Sequence, residues 1–248
     1  MSNFLTGAFD RAFGGMRRTA IGAARRALPQ RCELCAAPSA SELVCAACAR
    51  DLPRIGAACP VCALPASGGD VCGSCLAHAP AFDATIAAFA YAFPVDRLIH
   101  AFKYQGRLAL AEWSAGALLA ERAQRKRPDP DRLVALPLSV ERQRERGYNQ
   151  AAEIARLVAA RSGLPLMSAG VRRIRAAPPQ AALPWTARER NVRGAFGCDV
   201  DLAGLRVAII DDVMTTGATL SELARTLRAA GAAGVENWVV ARTLPPAH

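Results

Sequence analysis

Two adjacent carboxylates, Asp211 and Asp212, follow the apolar run LRVAII at residues 205–210 and precede Thr215, Thr216, Gly217, Ala218 and Thr219. An unbroken apolar run of this length predicts a parallel strand buried on both faces. Beyond the turn, Leu220, Leu223, Ala224 and Leu227 recur at helical spacing. Thr219 and Glu222 are spaced as a capping box, and Gly231 is placed to end the helix. Strand, acidic pair, Gly/Thr turn and helix describe an anion site at the carboxyl end of a parallel sheet. Turn N–H groups, threonine hydroxyls and the helix dipole would hold a phosphate monoester, and the carboxylates would accept hydrogen bonds from vicinal ribose hydroxyls. The residues specify a ribose 5-phosphate cradle. A Walker loop would need a Lys that is absent here, and a dinucleotide fingerprint would need GxGxxG, which is also absent.

Upstream, a cluster of arginines offers a second place for an anion. LVALPL, Leu133 to Leu138, reads as a strand that ends in a Pro turn at Leu136, Pro137 and Leu138. Arg142, Arg144 and Arg146 then crowd a Gly turn ahead of a helix expected at Ala151 to Ala160. Guanidinium groups gathered there would neutralise a diphosphate.

The cysteines obey a repeat. Cys32, Cys35, Cys45 and Cys48 recur as Cys59, Cys62, Cys72 and Cys75, each shifted by 27 residues. Each CxxC knuckle offers two thiolates, and two knuckles complete a closed tetrahedral zinc site, the structural kind. Sequential pairing would give two independent ribbons and interleaved pairing would cross-link them; the repeat favours the sequential arrangement. With few large apolar side chains in this stretch, two structural zinc ions would supply the folding energy.

Three segments follow. Residues 1–30 form a basic extension in which Phe4, Leu5, Phe9, Phe13, Met16 and Ile21 share half a helical wheel with interspersed arginines. It reads as a poorly ordered or self-packed segment, with a targeting or membrane-surface helix as the alternative. Residues 31–80 form the double zinc ribbon and residues 81–248 the α/β domain. The net charge of +10 divides as +4, −1 and +7 over these segments, a balance suited to polyanionic ligands. No apolar run reaches the roughly 18 residues a membrane helix needs. Nine cysteines without a secretory segment predict a reducing, cytoplasmic setting.

Val207 to Thr219 resembles the 13-residue phosphoribosyl-pyrophosphate (PRPP) motif of type I phosphoribosyltransferases without a break. RERGYNQ at 144–150 resembles the RxRGFNQ signature of the ComF family, with Tyr148 where Phe is common. LIHAFKYQGR at 98–107 and the residues Gln180, Arg190, Asn191, Gly194 and Phe196 are similar to further stretches of that family, as is the cysteine repeat. The resemblance spans about residues 32 to 242. It implies a type I phosphoribosyltransferase fold, a parallel sheet flanked by helices, with an N-terminal zinc-ribbon module.

In roles, the resemblance implies that Asp211 and Asp212 orient the ribose, that Thr215 to Thr219 hold the 5-phosphate, and that Leu136 to Leu138 with Lys103, Arg142 and Arg146 hold the diphosphate of PRPP bound with Mg²⁺. Arg172 to Phe196 would form a hood over the ligand. The family link also implies a part in DNA uptake and single-stranded DNA handling during natural transformation. Three readings stay open at this point: an enzyme transferring the phosphoribosyl group to an unknown acceptor, including a metabolic nucleobase or nucleotide phosphoribosyltransferase; a binder of phosphoribosyl ligand and single-stranded DNA; and a PRPP-sensing regulator. With only 6% aromatic residues, a long base-stacking platform is not expected.

Overall fold

The computed structural model describes residues 30–175 and 192–245. The amphipathic N-terminal stretch, most of the expected hood, and Gln180, Arg190 and Asn191 lie outside the described residues. The chain forms two compact units, one ending at Asp51 and one starting at Leu52.

The first unit contains one ribbon. Its first knuckle turns through Ala36, which adopts a positive φ of 57°. Arg31 bridges Pro38 across the knuckle. Cys45 then leads into the single-turn helix α1, Ala46–Arg50. The second ribbon, within the second unit, repeats this backbone: Ala63 also has φ 57°, Ala58 bridges Pro65, and Cys72 leads into α2, Gly73–Ala77. The 27-residue period seen in the cysteines is therefore a repeat of conformation.

In each ribbon the four sulfurs lie within 4.8 Å of one another, Cys32 with Cys35, Cys45 and Cys48, and Cys59 with Cys62, Cys72 and Cys75. The pairing is sequential. The backbone N–H of Cys45 donates to Cys32 Sγ at 3.3 Å, and that of Cys72 to Cys59 Sγ at 3.3 Å. Burial opposes ionisation of Cys32, but the N–H donors of Cys45, Cys35 and Leu34 outweigh it and bring the thiol down to about 6. Cys59 falls to about 7 by the same balance. Four clustered thiols with N–H donors aimed at sulfur suit a tetrahedral divalent ion, and the donor set supports two structural zinc ions.

The rest of the second unit is an α/β layer structure: β1, Ala84–Ala90; α3, Val95–Tyr104; α4, Leu110–Ala123; β2, Arg132–Ala135; α5, Val140–Arg146; α6, Gln150–Ser162; β3, Leu166–Met167; β4, Val171–Arg173; β5, Phe196–Cys198; β6, Arg206–Met214; α7, Ala218–Ala229; and β7, Gly234–Arg242. Five strands form one parallel sheet in the order β1-β7-β6-β2-β3. β4 and β5 form a separate antiparallel pair. This is the type I phosphoribosyltransferase class of fold that the motif implied.

Strand β6 is buried from Val207 to Ile210 because both faces are covered. Val207 and Ile209 share one apolar cluster with Leu220, Leu223 and Leu227 of α7 and with Cys59, Cys62 and Cys75. The second ribbon thus belongs to the core of the α/β unit. It also caps the exposed edge of the sheet, since Thr85 and Ala90 of β1 donate to the carbonyls of Pro60 and Pro53 at 3.1 and 2.8 Å. Among the described residues no helix is long and apolar enough to cross a membrane.

Protein purified without chelator is expected to carry two zinc ions per chain by elemental analysis, and chelation should lower its thermal midpoint by well over ten degrees, given the roughly 10–16 kcal/mol a structural zinc supplies. Metal-free protein with an unchanged midpoint would contradict the ribbon assignment.

Candidate phosphoribosyl cleft

From β6 the chain crosses through α7 to β7, whereas from β2 it crosses through α5 and α6 to β3, on the opposite side of the sheet order. The β2/β6 boundary is therefore where the winding reverses, and ligands of open α/β sheets bind outside the carboxyl ends at such a point. Ala135 pairs with Ile210, and Leu136 N donates to Ile210 O at 2.9 Å; beyond it β2 leaves the sheet while β6 continues to Met214. Between them opens a cleft of about 310 Å³.

Its walls bring together nearly all the residues singled out from sequence. Asp211, Asp212, Thr215, Thr216, Gly217 and Thr219 line one side. Leu136, Pro137 and Leu138 line another, with Lys103, Arg142 and Arg146 around them. Ala218 does not form part of the wall; it is the buried first residue of α7. Of the three arginines expected in a Gly turn, Arg142 and Arg146 reach the cleft and Arg144 does not. All three lie on the short helix α5, N-capped by Ser139 and ended by Gly147 at φ 77°.

Two other local expectations are corrected. The acidic pair sits inside β6 rather than after it, because pairing with β7 continues through Asp211↔Val239 to Met214↔Arg242. Nor do Thr219 and Glu222 form a capping box. Gly217, at φ 83°, is the N-cap of α7, and no side chain caps it. Glu222 is buried and accepts the N–H of Gly194 at 2.7 Å, which ties the end of the segment preceding β5 to α7. Gly217 itself offers no side-chain acceptor to α7, and Ala218 N donates to Thr216 Oγ1 at 3.3 Å, so the open helix start and the threonine hydroxyls of the turn lie together, a setting suited to an anion.

Charge is arranged around the acidic pair. Lys103 Nζ lies 3.0 Å from Asp212 Oδ1. Asp211 Oδ1 accepts the N–H of Asp212 at 2.8 Å. Burial, followed by the neighbouring Asp212 carboxylate, pushes Asp211 up to about 8, against the opposing pull of Lys103.

The cleft and its surroundings also hold contacts that sequence reasoning did not assign. Asn149 Nδ2 donates to Leu136 O at 3.0 Å, holding the Pro turn, while its Oδ1 accepts Ala152 N at 3.3 Å and caps α6. Its place within RGYNQ was the available signal. Tyr148 donates its hydroxyl to Phe102 O, beside Lys103. Arg146 donates to Gln150 Oε1 at 3.0 Å and lies 5.2 Å from the Tyr104 ring centre. Arg173 of β4 also lines the cleft. Its guanidinium is held below the usual arginine range by burial first and by the charge of Arg142 second. The Glu141 carboxylate opposes this in part, and Arg142 and Arg173 together bring positive charge to the cleft wall.

Comparisons with known proteins give the following similarities. Residues 23–76 match the double zinc ribbon domain. The DNA utilization protein YhgH of Salmonella typhi is 35% identical over 224 residues, covering 88% of this chain and 99% of that protein. Competence protein F of Haemophilus influenzae is 32% identical over 170 residues, covering 66% of this chain and 74% of that protein. Among solved structures, a purine phosphoribosyltransferase from Pyrococcus horikoshii aligns over 66% of this chain and 94% of its own, with 18% identity and a TM-score of 0.29.

Two outcomes are expected from the cleft geometry. Gly217→Ala should destabilise the protein by about 1–2 kcal/mol in urea unfolding, because φ 83° disfavours an L side chain and the new Cβ would stand 2.6 Å from Met214 Cε. Asp211 has a folded pKa raised above its unfolded value, so the folded state keeps a proton that the unfolded state releases, and stability falls between pH 4 and 8. The stability gain from Asp211→Asn over the wild type should accordingly be larger at pH 8 than at pH 5, measured as denaturation midpoints. Equal gains at both pH values would contradict the buried-acid assignment.

Proposed function

The chain belongs to the ComF family, together with the YhgH proteins and competence protein F, and from that premise we propose that its cleft binds PRPP or a related phosphoribosyl ligand with Mg²⁺ in the service of DNA uptake and single-stranded DNA handling. The observation that carries the reading is the glycine-capped start of α7 at the carboxyl end of β6, facing Lys103, Arg142 and Arg146 across one cleft. In this reading Thr215 to Thr219 hold the 5-phosphate through backbone N–H groups and hydroxyls. Asp211 and Asp212 receive the ribose hydroxyls. The Leu136–Leu138 turn and the cations receive the diphosphate.

Magnesium, as the usual counter-ion of a diphosphate, would spread that group's charge, and carboxylate and ligand oxygens are the donors it prefers. The chain's own part is to position the anomeric carbon and stabilise the departing diphosphate, by fixed charge and geometry rather than by a general base. No residue of the described cleft presents itself as a base for a particular acceptor. The net charge of +10 favours a polyanionic partner beyond the small ligand, and a cytoplasmic setting agrees with reduced, zinc-ligating cysteines.

The test is to incubate protein with PRPP and Mg²⁺, add nucleobases or single-stranded DNA, and follow diphosphate release beside binding of each ligand. The expected result is PRPP binding that weakens about tenfold or more in Asp212→Asn, together with DNA binding that falls steeply with salt. Diphosphate release from PRPP that depends on an added nucleobase, with no affinity for DNA, would instead make the protein a metabolic phosphoribosyltransferase. Absence of binding to any phosphoribosyl ligand would end the reading.

A further inference from the structure

Arg242, the last residue of β7, is 2% exposed, and among the described residues no carboxylate forms an ion pair with it. Register places it beside Met214 on one side and Ala90 on the other, at the carboxyl edge of the sheet next to the cleft. Its hydrogen bonds go to carbonyl oxygens on separate elements. Nε donates to Cys62 O of the second ribbon at 2.8 Å. Nη1 donates to Met214 O at 3.1 Å, to Thr215 O, and to Thr243 O at 2.8 Å. Met214 and Thr215 are the residues at which β6 becomes the phosphate turn.

A buried guanidinium without an anion is costly, and carbonyl dipoles offset only part of that cost. A nearby source of negative charge is the second ribbon, where four thiolates around one divalent cation would leave a doubly negative cluster. The ribbon is also fixed to the sheet independently of Arg242. Pro60 O accepts Thr85 N, and Ala81, just past the ribbon, is bonded to α7 through Ser221 Oγ at 3.1 Å and Arg228 Nε at 2.7 Å. Metal knuckle, buried cation and phosphate turn therefore form one connected unit.

We infer that Arg242 is a positioning residue that couples the zinc-loaded second ribbon to the phosphate turn, so that metal in this ribbon holds Met214 and Thr215 in the shape that receives the ligand's phosphate. The inference rests on the proposed phosphoribosyl site for its ligand readout, though not for its structural one. It gives the second ribbon a task within the cleft beyond folding.

The experiment compares the full-length wild type with Arg242→Lys, Cys75→Ser and the combined variant. Lysine keeps the charge but cannot span carbonyls on both the ribbon and the turn. Readouts are zinc per chain, amide hydrogen exchange over residues 213–218, and affinity for PRPP with Mg²⁺ by calorimetry. The expected result for Arg242→Lys is two zinc ions, faster exchange confined to the turn, and about tenfold or more weaker PRPP binding. Cys75→Ser should lose one zinc and show the same acceleration, and the combined variant should add little, as members of one unit do. Unchanged exchange in folded Arg242→Lys, or fully additive effects, would overturn the inference. Should Cys75→Ser fail to fold, exchange in Arg242→Lys decides alone. Should the wild type bind no phosphoribosyl ligand, the proposed function fails, while exchange over the turn still tests the coupling.

Discussion

Two carboxylates side by side near the carboxyl end of a central strand repel one another, and burial sharpens the repulsion. Asp211 and Asp212 occupy this position, and much of the surrounding structure can be understood as the arrangement that lets them stay. Lys103 is brought to Asp212 by α3, a helix whose Val95, Leu98, Ile99 and Phe102 are buried. Asp211 accepts a backbone N–H and is pushed toward its protonated form. The cations of α5 and Arg173 stand across the cleft, giving it the mixed polarity that a sugar phosphate needs: acceptors for hydroxyls on one wall, positive charge on the others.

The sheet order explains why the cleft lies there. Because winding reverses between β2 and β6, the two crossovers lead to opposite sides of the strand order and leave the gap between them. The early exit of β2 at Leu136, held by Asn149, deepens the gap, and the continuation of β6 to Met214 carries the acidic pair along its side. The second ribbon completes the frame from outside. The carbonyls of Pro60 in its knuckle and of Pro53 ahead of it cover the edge strand β1, and its cysteines share an apolar cluster with α7, so an element that reads as an appendage in sequence becomes part of the core behind the Gly217 turn.

The parts legible in sequence were those written in local chemistry. The 27-residue cysteine period carried the ribbon pairing because a repeated knuckle repeats its hydrogen bonds. The apolar run before Asp211 and the spacing of Leu220, Leu223 and Leu227 carried the strand and helix that build the cradle. What failed depended on distant partners. Thr219 and Glu222 have capping-box spacing, but Gly217 takes the cap and Glu222 turns to Gly194, 28 residues away. β6 outlasts its apolar run because β7 remains beside it. Arg242 bonds Cys62 across 180 residues of chain, a contact with no periodicity or motif to announce it.

The central claim is that the glycine-capped turn before α7 receives a phosphate while the acidic pair faces the sugar. A crystal structure of the protein with PRPP and Mg²⁺ tests it most directly. The account predicts the 5-phosphate on the N–H groups of residues 215–219, the ribose hydroxyls at Asp211 and Asp212, and the diphosphate against Leu136 to Leu138. A ligand bound outside this cleft, or with its diphosphate on the α7 turn, would contradict it.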